Sequence, residues 1–224
     1  NQSVVRLGLL RSTIHTFNEI LQDMKAEFPH TIFAPQIFSS ELIYRELTEH
    51  RIDLGFVTSY QENIRSIFPK ADYTIVKSYE LVLMISRSNP VYSRLELENG
   101  CLAERSYPLL EELPLFQGKN DMVKRRMQED IFPTLGIQPK WREGLIDIEF
   151  MFQTMILENS FSILPVSRIR GGDIEQIPFL FHPKVQRLFI YPPRHHLTQP
   201  ERELITRVTD AYRDISYYYD VSLL

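Results

Sequence analysis

Hydroxyl side chains gather at two joints of the chain. Ser12 and Thr13 stand between an apolar run over residues 4–10 and an amphipathic run over residues 14–28. Thr58 and Ser59 follow a second apolar run, Ile52-Asp53-Leu54-Gly55-Phe56-Val57. A helix N-terminus presents unpaired N–H groups and the positive end of a dipole, so a hydroxyl there makes a ready place for a small anion or polar ligand. The bland reading is that Ser12 and Thr13 cap their own helix, which is what such residues usually do. Both readings stand on the residues alone.

Other reactive residue types are present without the spacing their chemistry needs. His195-His196 is a poor metal site, because adjacent histidines rarely aim at one ion and no Cys or carboxylate stands at ligand spacing. Gly171-Gly172 follows Arg168 and Arg170, yet there is no Gly-x-Gly-x-x-Gly or P-loop pattern, so a tight turn is the reading. Cys101 is the only cysteine; it excludes an intrachain disulfide and has no spacing that supports a thiol nucleophile. No Gly-x-Ser-x-Gly elbow occurs. Asp53 and Glu143 sit at strand ends with nothing to link them as an acid–base pair. Lys124-Arg125-Arg126 reads as a solvated helix face, and Tyr217-Tyr218-Tyr219 as amphipathic surface suited to a subunit contact. No cofactor is implied.

Composition narrows the class. The 224 residues allow one large domain or two small ones, with 43% hydrophobic and 24% charged residues, ordinary values for a globular protein. Lys and Arg total 25 against 29 Asp and Glu, a net charge of −4, which offers little for tracking phosphates. No apolar run reaches the roughly 18 residues that span a bilayer, and no signal peptide opens the chain. A cytoplasmic location is expected, with no membrane partner. The chain opens without Met almost directly on a strand, as a piece of something longer would.

Periodicity supplies the elements that must position these residues. Ile14, Phe17, Ile20, Leu21, Met24 and Phe28 recur at helical spacing until Pro29. Residues 31–38 read as a strand that Pro35 confines to a sheet edge. A helix opens at Ser39-Ser40 and a strand follows over residues 52–57, so the units are βα, the sheet parallel, and the order 2-1-3. Residues 73–76 and 79–85 read as two further strands, and residues 91–112 as mixed. A second series begins at Leu113, with a loop over residues 117–121 and a helix ended by Pro133. Asp147 caps the next helix, which carries the cleanest period. Strands follow over residues 161–165, 174–181 and 185–191. Thr198-Gln199-Pro200-Glu201 matches a capping box opening a long helix that reaches Tyr219. The reading is α/β with two Rossmann-like lobes: 1–86 plus 187–224 as lobe I and 87–186 as lobe II, crossing near residues 86–90 and 182–187.

In order and spacing, several fragments resemble one known family. They are the opening strand with a helix closing on Phe28-Pro29, residues 47–56, Glu80-Leu81-Val82-Leu83-Met84 before Ser88-Asn89-Pro90, Leu135-Gly136-Ile137-Gln138-Pro139, and Phe161-Ser162-Ile163-Leu164-Pro165. The chain resembles the effector-binding region of LysR-type transcriptional regulators from Val4 to about Arg213. It departs from the pattern where Glu158-Asn159-Ser160 replaces the usual glycines and Asn89 the usual His.

The resemblance implies a two-lobed, periplasmic-binding-protein-like (type II) domain with a small effector between the lobes. Mapped by motif, Ser12, Thr13, Thr58 and Ser59 would line the pocket from lobe I, and Gln117, Asn120, Leu164 and Pro165 from lobe II. Many effectors of the family are small carboxylates. It further implies a homodimer or tetramer pairing residues 14–38 with 121–132, and DNA binding only through an N-terminal winged helix-turn-helix absent from these residues. The alternatives are a transporter's solute-binding protein of the same fold and, last, an enzyme on a related scaffold.

Overall fold

In the computed structural model the described residues are 2–117, 121–143, 148–169 and 172–220. In chain order the main strands are β1 (Ser3–Leu9), β2 (Thr31–Ile37), β3 (Leu54–Ser59), β4 (Asp72–Ser86), β5 (Pro114–Gln117), β6 (Lys140–Glu143), β7 (Phe161–Pro165), β8 (Ile174–Pro178) and β9 (Lys184–Tyr191). The main helices are α1 (Ile14–Glu27), α2 (Ser40–Thr48), α3 (Ile64–Ile67), α4 (Asp121–Arg126), α5 (Ile148–Leu157) and α6 (Gln199–Arg213). Two compact units result: Asn1–Ser78 with Val185–Ser216, and Tyr79–Lys184 with Tyr217–Leu224.

The first unit is a sheet in the order β2-β1-β3-β9, parallel except for β9. Pro35 lies on β2, the edge strand, where its missing N–H breaks no ladder bond. One face is covered by α1 and α6: Leu7, Leu54, Phe56 and Phe189 pack with Phe17, Met24, Leu204 and Val208. Burying each such side chain contributes about 1.5–3 kcal/mol. The other face takes α2. There Gly8 and Gly55 are register partners, and Ile43 rests on their bare backbone. A Cβ on Gly55 would stand 2.4 Å from Ile43 Cγ2. The capping box at Thr198 forms in full and starts α6.

The second unit is a sheet in the order β8-β4-β7-β5-β6, with β5, β6 and β7 mutually parallel and β4 antiparallel to β7 and β8. Met151, Phe152 and Met155 of α5 pack on Val82, Met84 and Phe116. Asp147, the expected cap of α5, lies outside the described residues.

Several expectations are corrected. The two strands expected over residues 73–85 are one, β4. Residues 91–112 hold a short hairpin, Leu97–Glu98 with Cys101–Leu102, and a 3₁₀ segment, Glu104–Glu112. Pro133 does not end its helix. A proline removes an N–H and crowds the carbonyl four residues back; the turn before it, Met127–Ile131, is π-wound, and an α turn, Phe132–Leu135, runs on to Gly136 at φ 65°. Helix α6 stops at Arg213, short of Tyr219, and Tyr219–Asp220 pairs instead with Ser167–Arg168. The division between units differs accordingly. Residues 79–86 belong to the second unit because that half of β4 pairs with β7 and β8. The chain from Tyr217 joins it as well, since the Tyr218 N–H donates to Val166 O at 2.8 Å and its ring meets Tyr79 at 5.4 Å. Among the described residues, no helix is long and apolar enough to cross a membrane.

Candidate functional site

Between β1 and α1 the chain makes one 3₁₀ turn, Arg11–Thr13. Thr13 is fully buried, and its Oγ1 donates to Leu10 O at 2.7 Å. It makes no side-chain cap to α1, so the expected capping role is replaced by a bond back into its own turn. Ser12 is exposed, and its Oγ accepts from Arg187 Nη2 at 3.4 Å. Arg187 lies on β9 directly opposite Thr58 of β3, and opposite residues of an antiparallel pair share a sheet face. That face is the one covered by α1 and α6, where the guanidinium stands over the Tyr212 ring, 5.9 Å from its centroid. Arg187 is only 3% exposed and Thr58 only 2%. Ser59, on the opposite face, is fully buried and donates from Oγ to Gln61 O at 2.7 Å.

The fold therefore brings the Ser12 hydroxyl to the Arg187 guanidinium and sets Thr58 opposite Arg187 in the ladder, while the Thr13 and Ser59 hydroxyls bond within their own turns. Arg187 is not among the residues mapped by motif. Its signal in the sequence is a cation in mid-strand, among Val185, Leu188, Phe189 and Ile190, which are all fully buried. A guanidinium offers a planar fork of donors suited to carboxylate. Beside it, the N-terminus of the fourteen-residue α1 adds a field of the same sign.

In the second unit Gln117 ends β5, 3% exposed; its Nε2 donates to Ile163 O at 3.4 Å and its Oε1 accepts from Ser162 Oγ at 3.3 Å. Leu164 pairs with Val82 and packs beside Met84 and Phe116, and Pro165, buried, pairs with Leu81. Both therefore offer apolar contacts. Asn120 lies outside the described residues, as does Gly171.

The remaining constellations are structural. Asp53 accepts from the Arg6 N–H at 2.7 Å and from its guanidinium at 2.7 and 3.1 Å. Burial by itself would raise the Asp53 carboxyl, but these bonds and the Arg6 charge outweigh it and hold the group below the usual carboxylate range. His195 does meet a carboxylate: its Nε2 lies 3.1 Å from both oxygens of Glu201, which also accepts from the Thr198 N–H. The basic run is only partly solvated. Arg125 is exposed and pairs with Glu129, whereas Arg126 is 2% exposed, paired with Asp130 at 2.7 Å and donating to Lys184 O at 3.3 Å. Cys101 is buried, and Tyr217 is exposed where Tyr218 is not. Among the described residues no group of three or more His, Cys, Asp or Glu is placed to hold a metal ion.

No protein-family model matches the sequence, and no curated protein matches it either. Solved structures do match in shape. The effector-binding domain of QuiR in complex with shikimate has a TM-score of 0.64 at 14% identity, over 95% of this chain and 98% of that one. The BenM effector-binding domain with its effector benzoate has 0.66 at 16%, over 94% and 92%. The regulatory domain of CcmR from Synechocystis PCC6803 in complex with 2-PG has 0.66 at 14%, over 96% and 99%. These neighbours are regulatory effector-binding domains rather than enzymes. The chain thus has, along nearly its whole length, the type II periplasmic-binding-protein-like fold of the effector-binding domains of LysR-type transcriptional regulators.

Proposed function

We propose that this chain senses a small carboxylate as the effector-binding domain of a LysR-type transcriptional regulator, and that Arg187, Ser12 and Thr58 hold the carboxylate. Arg187 carries the reading: a guanidinium buried at 3% exposure, within bonding reach of Ser12 and opposite Thr58. Benzoate and shikimate, bound by two of the structural neighbours, are carboxylates. Thr13 and Ser59 would act by shaping the turns beside these residues, and Gln117, Leu164 and Pro165 of the second unit, with Asn120, are the remaining proposed contacts. Nothing observed favours a transporter's solute-binding protein or an enzyme. Signalling requires that the effector prefer one of two arrangements, since equal affinity for both shifts neither.

The rest of the reading is partnership. DNA would be reached only through a separate N-terminal head, in the cytoplasm. A second copy would pair residues 14–38 with 121–132. What supports this is a hollow of about 440 Å³ along α1 and β2, lined by Leu21, Pro29, Ile32, Phe33 and Pro35 together with polar Gln2, Asn18, Gln22, Lys25 and Thr31, with Ile37 exposed beside it.

The test is a screen of small carboxylates, benzoate and shikimate first, by thermal shift and then calorimetry. Thr58→Val keeps the shape and removes the hydroxyl. A hydrogen bond to a charged group is worth about 1.5–3 kcal/mol, so affinity should fall roughly 10- to 150-fold. Thr13→Ala should instead cost stability, because that hydroxyl is engaged with Leu10 O. Undiminished affinity in Thr58→Val removes that residue from the site.

A further inference from the structure

A hollow in the second unit lies outside the carboxylate-holding set, although Gln128 and Phe132 in its lining also belong to the segment proposed to meet a second copy. Past the π-wound turn the chain closes on Gly136 at φ 65° and returns along residues 137–141 into β6. The return leaves a cavity of about 500 Å³, lined by Gln128, Phe132, Pro133, Gly136, Gln138 and Trp141 among others. Small-molecule pockets have volumes of this order. Phe132 and Trp141 meet edge to face in its wall, with centroids 5.4 Å apart. A Cβ on Gly136 would meet nothing within 4 Å, so the space above the turn is open. The adjacent π turn supplies Gln128, and such turns are frequent at functional sites.

The lining selects among ligands. None of the described lining residues is charged. Lys124 Nζ stands over the Trp141 ring, 5.6 Å from the centroid, and is not among the lining residues. The backbone donors are in use: Gly136 N–H donates to Pro133 O, Ile137 N–H to Phe132 O, and Gln138 N–H to Glu111 Oε1 at 2.6 Å. Pro133 and Pro139 have no N–H. An anion would give up its hydration for neither a cation nor a backbone donor in this lining. What the hollow offers is flat aromatic surface and two carboxamides, Gln128 and Gln138, each able to donate and accept.

We propose that this hollow is a second small-molecule site, taking an uncharged planar heterocycle whose edge carries both a hydrogen-bond donor and an acceptor. Trp141 is the protein's only tryptophan, so its emission reports on the site directly. Adenine, uracil and nicotinamide are the probes, with benzoate as the anionic control, titrated to about 10 mM, beyond the weak end of specific binding. At least one neutral ring should change Trp141 emission saturably while benzoate does not. Gln138→Leu should weaken that binding about tenfold, the effect of one buried hydrogen bond. Gly136→Asn, at a left-handed position asparagine tolerates, should abolish it by filling the open space; should that variant fold poorly, Gln138→Leu carries the test. Linear quenching alone, an equal response to benzoate, or unchanged binding in the folded variants overturns the proposal. So does an emission change that tracks protein concentration and self-association, which would make the hollow an interface between copies.

Discussion

Arg187→Met keeps an unbranched stem in the space between β9 and Tyr212 and removes the guanidinium. Two quantities should respond differently. For a bound carboxylate, losing the charge-assisted bond costs about 1.5–3 kcal/mol, a 10- to 150-fold loss of affinity. For the effector-free protein the terms oppose one another. The cation–π contact with Tyr212 at 5.9 Å is lost, worth about 0.5–2 kcal/mol. Against that, the cost of keeping a guanidinium at 3% exposure is relieved, and that cost runs to several kcal/mol. At about 2–4 °C per kcal/mol for a chain of this size, the melting temperature should move by only a few degrees. Arg187→Lys should be intermediate in affinity, because it keeps the charge and loses the fork. The assay is denaturant and thermal unfolding with and without the carboxylate found in the screen, beside calorimetric titration. If Arg187→Met binds that carboxylate as tightly as the native chain, the guanidinium does not hold the effector. If instead it unfolds at much lower temperature with affinity unchanged, Arg187 is a structural cation and the site lies elsewhere.

Three other outcomes follow from the packing. Gly55→Ala should destabilise by about 1–3 kcal/mol in urea unfolding, since overpacked positions cost this much and the new Cβ would stand 2.4 Å from Ile43 Cγ2. Thr198→Ala should cost about 0.5–2 kcal/mol by removing the cap of α6, and the same unfolding experiment reads it. The Arg6–Asp53 pair gives an acid-side signature. With the folded Asp53 carboxyl held below its unfolded value of about 3.9, its contribution is present above that pH and fades as pH falls through the lower folded value. Asp53→Asn should remove that part of the pH dependence, measured as unfolding midpoints between about pH 5 and 2.

Local patterns were legible where the cause is local. The capping box needs only Thr198 and Glu201, three positions apart, and it forms as the sequence predicts. The edge position of β2 follows from one proline, and the order β2-β1-β3 from the βα pattern around it. The passage past Pro133 was not legible, because a π-wound turn absorbs the missing N–H and no spacing rule announces it. Nor was the end of α6. The apolar stripe continues through Ile215 toward Tyr219, but Tyr218 has a competing partner in Val166 and Tyr79. Tertiary pairing there overrides helical period.

The candidate site divides along the same line. Sequence alone determined the hydroxyl-bearing joints, because a strand that breaks at Arg11-Ser12-Thr13 before an amphipathic run must turn there. It also determined the α/β class, through periods of apolar residues that only buried sheets and half-buried helices satisfy. Only the tertiary structure decided which hydroxyls remain with their own turns and which meet a charge. Arg187 and Ser12 are 175 positions apart. They come together because antiparallel pairing of β9 sets Arg187 opposite Thr58, and a contact made by strand register across the chain leaves no mark in the spacing of residues along it.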